Sequence, residues 1–198
     1  FFFLMLMMRC HGDFSMTGNE AHGAAAHKGH HEEATAEKHE DAATAKESVH
    51  VMLPNGKELN AYKGGIEDML VVFLNDSSSK AGKDVWFDFD NLNFKTGSAE
   101  ITEESQLQVS NISEILKAYP KLKIKIGGYT DKTGDSLTNL ALSNNRAKVV
   151  ADALAKLNSS GQVTGAEGYG SQFAKAAADA PDAERAKDRR ISVTVREK

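Results

Sequence analysis

Apolar residues along this chain follow two different periods, and the switches between them mark out the elements. Leu122, Ile124 and Ile126 alternate with Lys121, Lys123 and Lys125, the two-residue period of a strand with one buried and one wet face. Ile191, Val193 and Val195 repeat that period near the C-terminus. Val85, Phe87 and Phe89 share one parity, whereas Leu92 and Phe94 share the other, which predicts a bulge or turn near Asp90-Asn91. Asp88 and Asp90 then read as the wet side of that strand. Val109, Ile112, Ile115, Leu116 and Tyr119 instead fall at helical spacing, with Thr102 as N-cap, Glu103 and Glu104 in the first turn, and Pro120 as the stop. A second helix is predicted over Leu137 to Leu157, burying Leu140, Ala147, Val150, Leu154 and Leu157. Gln162 to Gly168 reads as a short strand, and Gln172 to Asp188 is Ala-rich, polar and partly helical. The order β-α-β-α-β-(α)-β predicts an α+β domain over residues 84–198, with a mixed sheet and helices packed on one face.

Upstream the pattern weakens. In residues 49–79, a loose alternation over Val49 to Leu53 is followed by the turn tripeptide Pro54-Asn55-Gly56. Ile66, Met69, Leu70, Phe73 and Leu74 follow at helical spacing. Together they predict a small hairpin-helix extension. Residues 11–48 show neither period and are rich in Ala, Glu, Lys, His and Gly. Such a composition buries too little apolar surface to offset the entropy of ordering it, so a disordered tether is expected, reaching about 125 Å when fully extended. Residues 1–10 hold the apolar run Phe1 to Met8, followed by Arg9 and Cys10. Eight residues are too few to span a bilayer, which needs about 20. The run reads as the end of a membrane anchor or secretory signal, with three alternatives: a lipoprotein signal with Cys10 as the lipidated residue, a plain secretion signal, or the tail of a transmembrane helix. Arg9 is a poor fit to the small residue that normally precedes a lipidated cysteine.

Composition narrows the function classes. The formal net charge is −4, which lacks the basic footprint of a nucleic-acid binder. Cys10 is the single cysteine, so no internal disulfide and no multi-cysteine metal site can form. The seven histidines are His11, His22, His27, His30, His31, His39 and His50, all in or beside the tether. Clustered imidazoles can take up zinc, copper or nickel, but the segment carries no ligand-spaced partner motif and reads as a solvated linker. No metal or cofactor is expected. With no histidine after His50, a Ser-His-Asp or Cys-His arrangement is unavailable in residues 84–198. The glycine pairs Gly127-Gly128 and Gly168-x-Gly170 lack the following Lys-Ser/Thr of a phosphate loop. Nothing in the pattern supports an enzyme.

The chemistry concentrates between Gly128 and Ala147. Asp131 lies just past a strand end, and Arg146 lies in the helix that follows. Asn139 and Arg146 project from one face of that helix, about 10.5 Å apart along its axis. If the loop brings Asp131 opposite that face, a carboxylate and a guanidinium flank one shallow pocket. Arginine pairs bidentately with a carboxylate and aspartate accepts from an ammonium, so the pair suits a zwitterion. An Asp–Arg ion pair that merely supports the loop accounts for the same residues.

The run Gly128-x-Thr130-Asp131-x-x-Gly134, then Asn139-x-x-Leu142-Ser143-x-x-Arg146-Ala147-x-x-Val150, resembles the signature of the OmpA-like C-terminal domain. That domain also occurs in peptidoglycan-associated lipoproteins and MotB-type stator proteins. Phe94-Lys95-Thr96-Gly97-Ser98-Ala99-Glu100-Ile101 and Arg185-Ala186-Lys187-Asp188-Arg189-Arg190-Ile191 agree with it. The resemblance covers about residues 84–196. It implies non-covalent binding of peptidoglycan stem peptides, with Asp131 and Arg146 on the amino and carboxylate ends of diaminopimelate. Thr130, Asn139, Thr96 and Gly97 would be neighbouring contacts, and Arg189 a further one. It also implies placement at the periplasmic face of the cell outer membrane, tethering that membrane or an envelope complex to the wall. The partners it leads one to expect are peptidoglycan and, as one option, an outer-membrane protein complex, with a membrane expected through the N-terminal anchor; the alternative is a wall-anchored stator subunit of MotB type. Two positions depart from the pattern: Asp188 stands where Asn is usual, and Ser171-Gln172-Phe173-Ala174 replaces a Gly-x-Ser-x-Pro run.

Overall fold

Ile124 and Ile126 are completely buried, and in the register of the sheet they stand beside Val195 and Val193, also completely buried. These four side chains form the floor of the core. The computed structural model describes residues 46–157 and 161–198. Its elements are β1 (Ser48–Met52), β2 (Glu58–Tyr62), α1 (Ile66–Asn75), β3 (Trp86–Asp88), α2 (Gln106–Ala118), β4 (Lys123–Gly128), α3 (Ser136–Leu157), β5 (Val163–Gly168), α4 (Asp182–Arg185) and β6 (Ile191–Glu197). The main sheet has the order β3-β6-β4-β5. Its β3–β6 and β6–β4 pairs are antiparallel, and β4–β5 is parallel. The parallel pair is joined through α3, as a crossover between parallel strands requires. The domain is therefore α+β with a mixed sheet. The anchor with Cys10 and nearly all of the tether lie outside the described residues. Among the described residues, no helix is long and apolar enough to cross a membrane.

Helix α2 buries Val109, Ile112, Ile115 and Leu116 completely, the stripe that the spacing predicts. Thr102 precedes its opening turn without a side-chain cap to the backbone; its hydroxyl meets Ser105 Oγ at 2.9 Å, and Ser105 Oγ accepts from the Asn93 amide. Helix α3 departs from expectation. Leu140 and Leu157 are 46% and 47% exposed, and the buried face is Ser143, Ala147, Val150, Ala151 and Leu154. The reason is close approach to the sheet. A Cβ on Gly128 would sit 2.2 Å from the Ser143 carbonyl oxygen, and one on Gly168 would sit 2.2 Å from the Asn144 nitrogen. Two glycines side by side on β4 and β5 let the helix backbone rest on the strands, which leaves room there for serine and alanine only.

Asp90 departs as well. Strand β3 ends at Asp88, so the shared parity with Asp90 no longer holds. Asp88 accepts from Ser192 Oγ at 2.5 Å, whereas Asp90 turns toward α1. There it accepts from the Ile66 amide at 3.1 Å, from Gln108 Nε2 at 2.8 Å and from Lys46. Beside it Glu67, 2% exposed, accepts from Asn111 at 3.0 Å and Gln108 at 3.2 Å. The hairpin β1–β2 and α1 thus share the core of the main domain through Ile66, Leu70 and Val71 and a buried polar seam. His50, the one histidine among the described residues, pairs with Glu58 on the hairpin.

Candidate functional site

The loop leaving β4 is fixed before it reaches any ligand. Tyr129 N donates to the Arg190 carbonyl, and Thr130 N to that of Gly170, each at 2.9 Å. Ser143 Oγ accepts from Gly170 N, so α3, β5 and the loop meet at one point. Asp131 then folds its carboxylate back, with Oδ1 accepting from Thr133 N at 2.9 Å. Asn139 Nδ2 donates to the Thr133 carbonyl at 2.8 Å. At the start of α3, Asp135 Oδ2 accepts from the Thr138 amide at 2.8 Å; these bonds hold its carboxyl below the usual carboxylate range.

A cleft of about 420 Å³ opens beside this loop, lined by Leu92, Asn93, Phe94, Thr96, Gly97, Arg146, Ala186 and Arg189. Gly97 takes φ +66°, the left-handed region that favours glycine, in the turn that carries the Ser98 carbonyl to Arg146. Arg146 donates from Nε to that carbonyl at 2.9 Å, and its guanidinium lies 4.9 Å from the centre of the Phe94 ring. It is half-buried and pairs with no carboxylate among the described residues. Burial, and then repulsion from Arg189, lower its pKa below the ordinary arginine value. It stays charged, because arginine does not deprotonate in proteins.

Asp131 and Arg146 do not face each other across an open pocket as the spacing suggests. Arg189 stands at Asp131: its Nη1 donates to Asp131 Oδ2 at 2.8 Å and to Asp182 Oδ1 at 2.9 Å, while Nη2 reaches Asp182 Oδ2 at 3.0 Å. Arg185 Nη1 lies 3.5 Å from the same Asp131 oxygen and donates to Thr133 Oγ1 at 2.7 Å. Burial raises the Asp131 pKa, but the Arg189 and Thr133 hydrogen bonds outweigh it, and the net shift is downward. Arg189 moves up, through Asp182 first and Asp131 second.

Four residues singled out from sequence therefore share the cleft wall: Thr96, Gly97, Arg146 and Arg189. Asp131 sits one guanidinium behind it. Thr130 and Asn139 do not line it. Thr130 is 3% exposed and gives its hydroxyl to the Asp131 carbonyl, and Asn139 clamps the 131–133 turn. Both shape the loop that presents Asp131. Sequence reading missed Asp182 and, although Arg185 stands in the quoted run, did not single it out as a contact; yet Asp182, Arg185 and Arg189 recur at three- and four-residue intervals in a polar segment, a spacing that gathers charges on one side of a helical turn. Asp188, the departure from the family pattern, is 2% exposed and accepts the amides of Lys175 and Ala176 at 2.8–3.0 Å. It pins the segment before α4.

A mixed four-stranded sheet, helices α2 and α3 on one face, and an arginine-lined cleft where β4 hands over to α3 define a small α+β domain with a charged groove at the end of its sheet. Residues 93–189 match the OmpA family and form an OmpA family domain. Peptidoglycan-binding protein ArfA of Mycobacterium bovis is 38% identical over 87 residues, 44% of this chain and 26% of ArfA. Outer membrane porin F of Pseudomonas aeruginosa is 33% identical over 114 residues, 57% of this chain and 30% of the porin. The chain thus spans about a third or less of these relatives. A solved MotB-like protein from Desulfovibrio vulgaris shares the fold, with a TM-score of 0.50 at 18% identity over 67% of this chain and 90% of that one.

Proposed function

We propose that this domain binds peptidoglycan without covalent chemistry, tethering an envelope component to the cell wall from the periplasmic face of the outer membrane. In this reading Arg146 takes the carboxylate of the diaminopimelate residue in a stem peptide, and Asp131 takes its ammonium. The observation that carries it is Arg146 itself. A half-buried guanidinium with no carboxylate partner among the described residues, beside a second arginine, bears the cost of burying charge without the anion that would offset it. A ligand carboxylate supplies that anion in bidentate form. The cleft's titratable side chains are two arginines, which offer neither a base nor a nucleophile at physiological pH, so binding rather than catalysis suits it. The similarity to ArfA, a protein named for binding peptidoglycan, supports the same reading.

The test is co-sedimentation of the purified chain with cell-wall sacculi whose stems carry diaminopimelate, beside sacculi whose stems carry lysine. The reading predicts saturable binding to the former, and a drop of tenfold or more in bound protein for Arg146→Ala. Equal binding to both walls removes the diaminopimelate assignment. Undiminished binding by Arg146→Ala removes the cleft.

A further inference from the structure

We propose that Asp182 is a positioning residue that holds Arg189 while Asp131 is handed over to an ammonium group on the ligand. This rests on the reading above, in which one cleft takes both ends of a zwitterion. The Asp131 side chain is 9% exposed, and its oxygens accept from Thr133 N, from Arg189 and, at longer range, from Arg185. With the carboxylate nearly covered, an ammonium reaches it by moving one of these donors aside. Thr133 N is part of the turn itself. Arg185 is held by the Thr133 hydroxyl and by the Ala180 carbonyl, to which its Nε donates at 2.9 Å, and its Nη2 lies 3.3 Å from Asp182 Oδ1, a single contact and not a fork. Arg189 is different: one hydrogen bond goes to Asp131 and two go to Asp182 in a forked pair. It can give up the first and keep a bidentate carboxylate partner, the strong geometry for a guanidinium.

The charges make the exchange specific. Arg146, Arg189 and Arg185 contribute three positive charges, and Asp131 and Asp182 two negative ones, so the site carries a surplus cation that a ligand carboxylate neutralises. An ammonium arriving at Asp131 adds a positive charge beside Arg189, and the two hydrogen bonds from Arg189 to Asp182 hold that guanidinium when it gives up Asp131. Without Asp182, Asp131 is the one carboxylate paired with Arg189 among the described residues, and Arg189 competes with the ammonium at full strength. Asp182 thus sets preference for a ligand bearing a free amine over the same ligand with that amine blocked.

The experiment titrates the full chain calorimetrically with a stem tripeptide ending in meso-diaminopimelate, and with the same tripeptide N-acetylated on the free side-chain amine of the diaminopimelate. Wild type is compared with Asp182→Asn, Asp182→Glu and Arg146→Met. Asp182→Asn is expected to weaken the free-amine peptide about tenfold, the scale of one charge-assisted hydrogen bond. The acetylated peptide should be unchanged or slightly tighter, because a negative charge has left the rim. Asp182→Glu should restore most of the preference. Damage to the α4 segment would weaken both peptides together, and that result overturns the proposal. So does Asp182→Asn leaving both affinities unchanged, and if Arg146→Met still abolishes binding then the functional reading stands and this inference alone fails. Wild type binding neither peptide sinks both.

Discussion

Asp131 and Arg146 are linked through Arg189 without touching: Asp131 accepts from Arg189 at 2.8 Å, whereas Arg146 donates to the Ser98 carbonyl at 2.9 Å. Arg189 stands at Asp131 and lines the cleft with Arg146. An ion pair made only to brace the loop would join the first two directly. The observed arrangement leaves Arg146 without a carboxylate partner among the described residues, beside an open cleft, and under the proposed function that is recognition chemistry kept at some expense of stability.

That expense is measurable at Arg146. Replacing it by methionine keeps the contact with Phe94 and removes a half-buried charge. Urea unfolding should show Arg146→Met as stable as wild type, or more stable by up to about 1 kcal/mol, while sacculus binding is lost. Arg146→Lys should bind weakly, because a point charge lacks the planar fork.

Asp131 should set the acid limit of binding. Its folded pKa lies below the ordinary value of about 3.9 because Arg189 and Thr133 outweigh the opposing effect of burial. A lowered carboxyl contributes stability above its unfolded pKa and loses it as pH falls through the folded one. Binding by wild type should therefore persist through the pH at which an ordinary aspartate protonates, about 4, and fall only below that range. Asp131→Asn should start about tenfold weaker and show no such limb, which a pH series of sedimentation assays would reveal.

Asp188 offers a check on the loop behind the cleft. Its carboxylate accepts two backbone amides while 2% exposed. Asp188→Ala leaves both part-buried donors without this acceptor and should cost about 1 kcal/mol. Asp188→Asn retains one acceptor oxygen and should cost about half as much. Thermal unfolding, with limited proteolysis of residues 171–181, would show the ranking.

Glu67 gives the opposite pH dependence at the seam with the hairpin. Burial is the largest influence on it and raises its pKa, despite hydrogen bonds from Asn111 and Gln108. A carboxyl raised in the folded state contributes fully below its unfolded pKa of about 4.3 and loses that contribution as pH rises through the folded value. Subtracting the stability of Glu67→Gln from that of wild type should give a difference that falls as pH rises above about 4.3. A flat difference would show that the carboxyl does not titrate in that range.

Much of this was legible in the sequence because the signal was periodic. The stripe Val109, Ile112, Ile115, Leu116 and the alternations around Ile124 and Val193 fixed two strands and a helix. What escaped was close packing. Leu140 and Leu157 match helical spacing on the wrong face, since Gly128 and Gly168 draw Ser143 and Ala147 against the strands, and a pattern of apolar residues does not register a contact made by glycine. At the site, the motif residues Thr96, Gly97, Arg146 and Arg189 come together on one wall. Thr130 and Asn139 turn inward because the 131–133 turn needs their hydrogen bonds. Asp182 and Arg185 escaped because a short charged segment reads as ordinary solvated surface until the chain folds it over Asp131.

The most direct test is to titrate the isotope-labelled chain with the diaminopimelate stem tripeptide and follow side-chain Nε–Hε and backbone amide resonances by NMR. The account predicts the largest shifts at the Arg146 and Arg189 guanidinium groups, the Thr96-Gly97 turn and the amides of residues 131–133. Saturating shifts centred elsewhere on the domain, with those resonances unmoved, would contradict it.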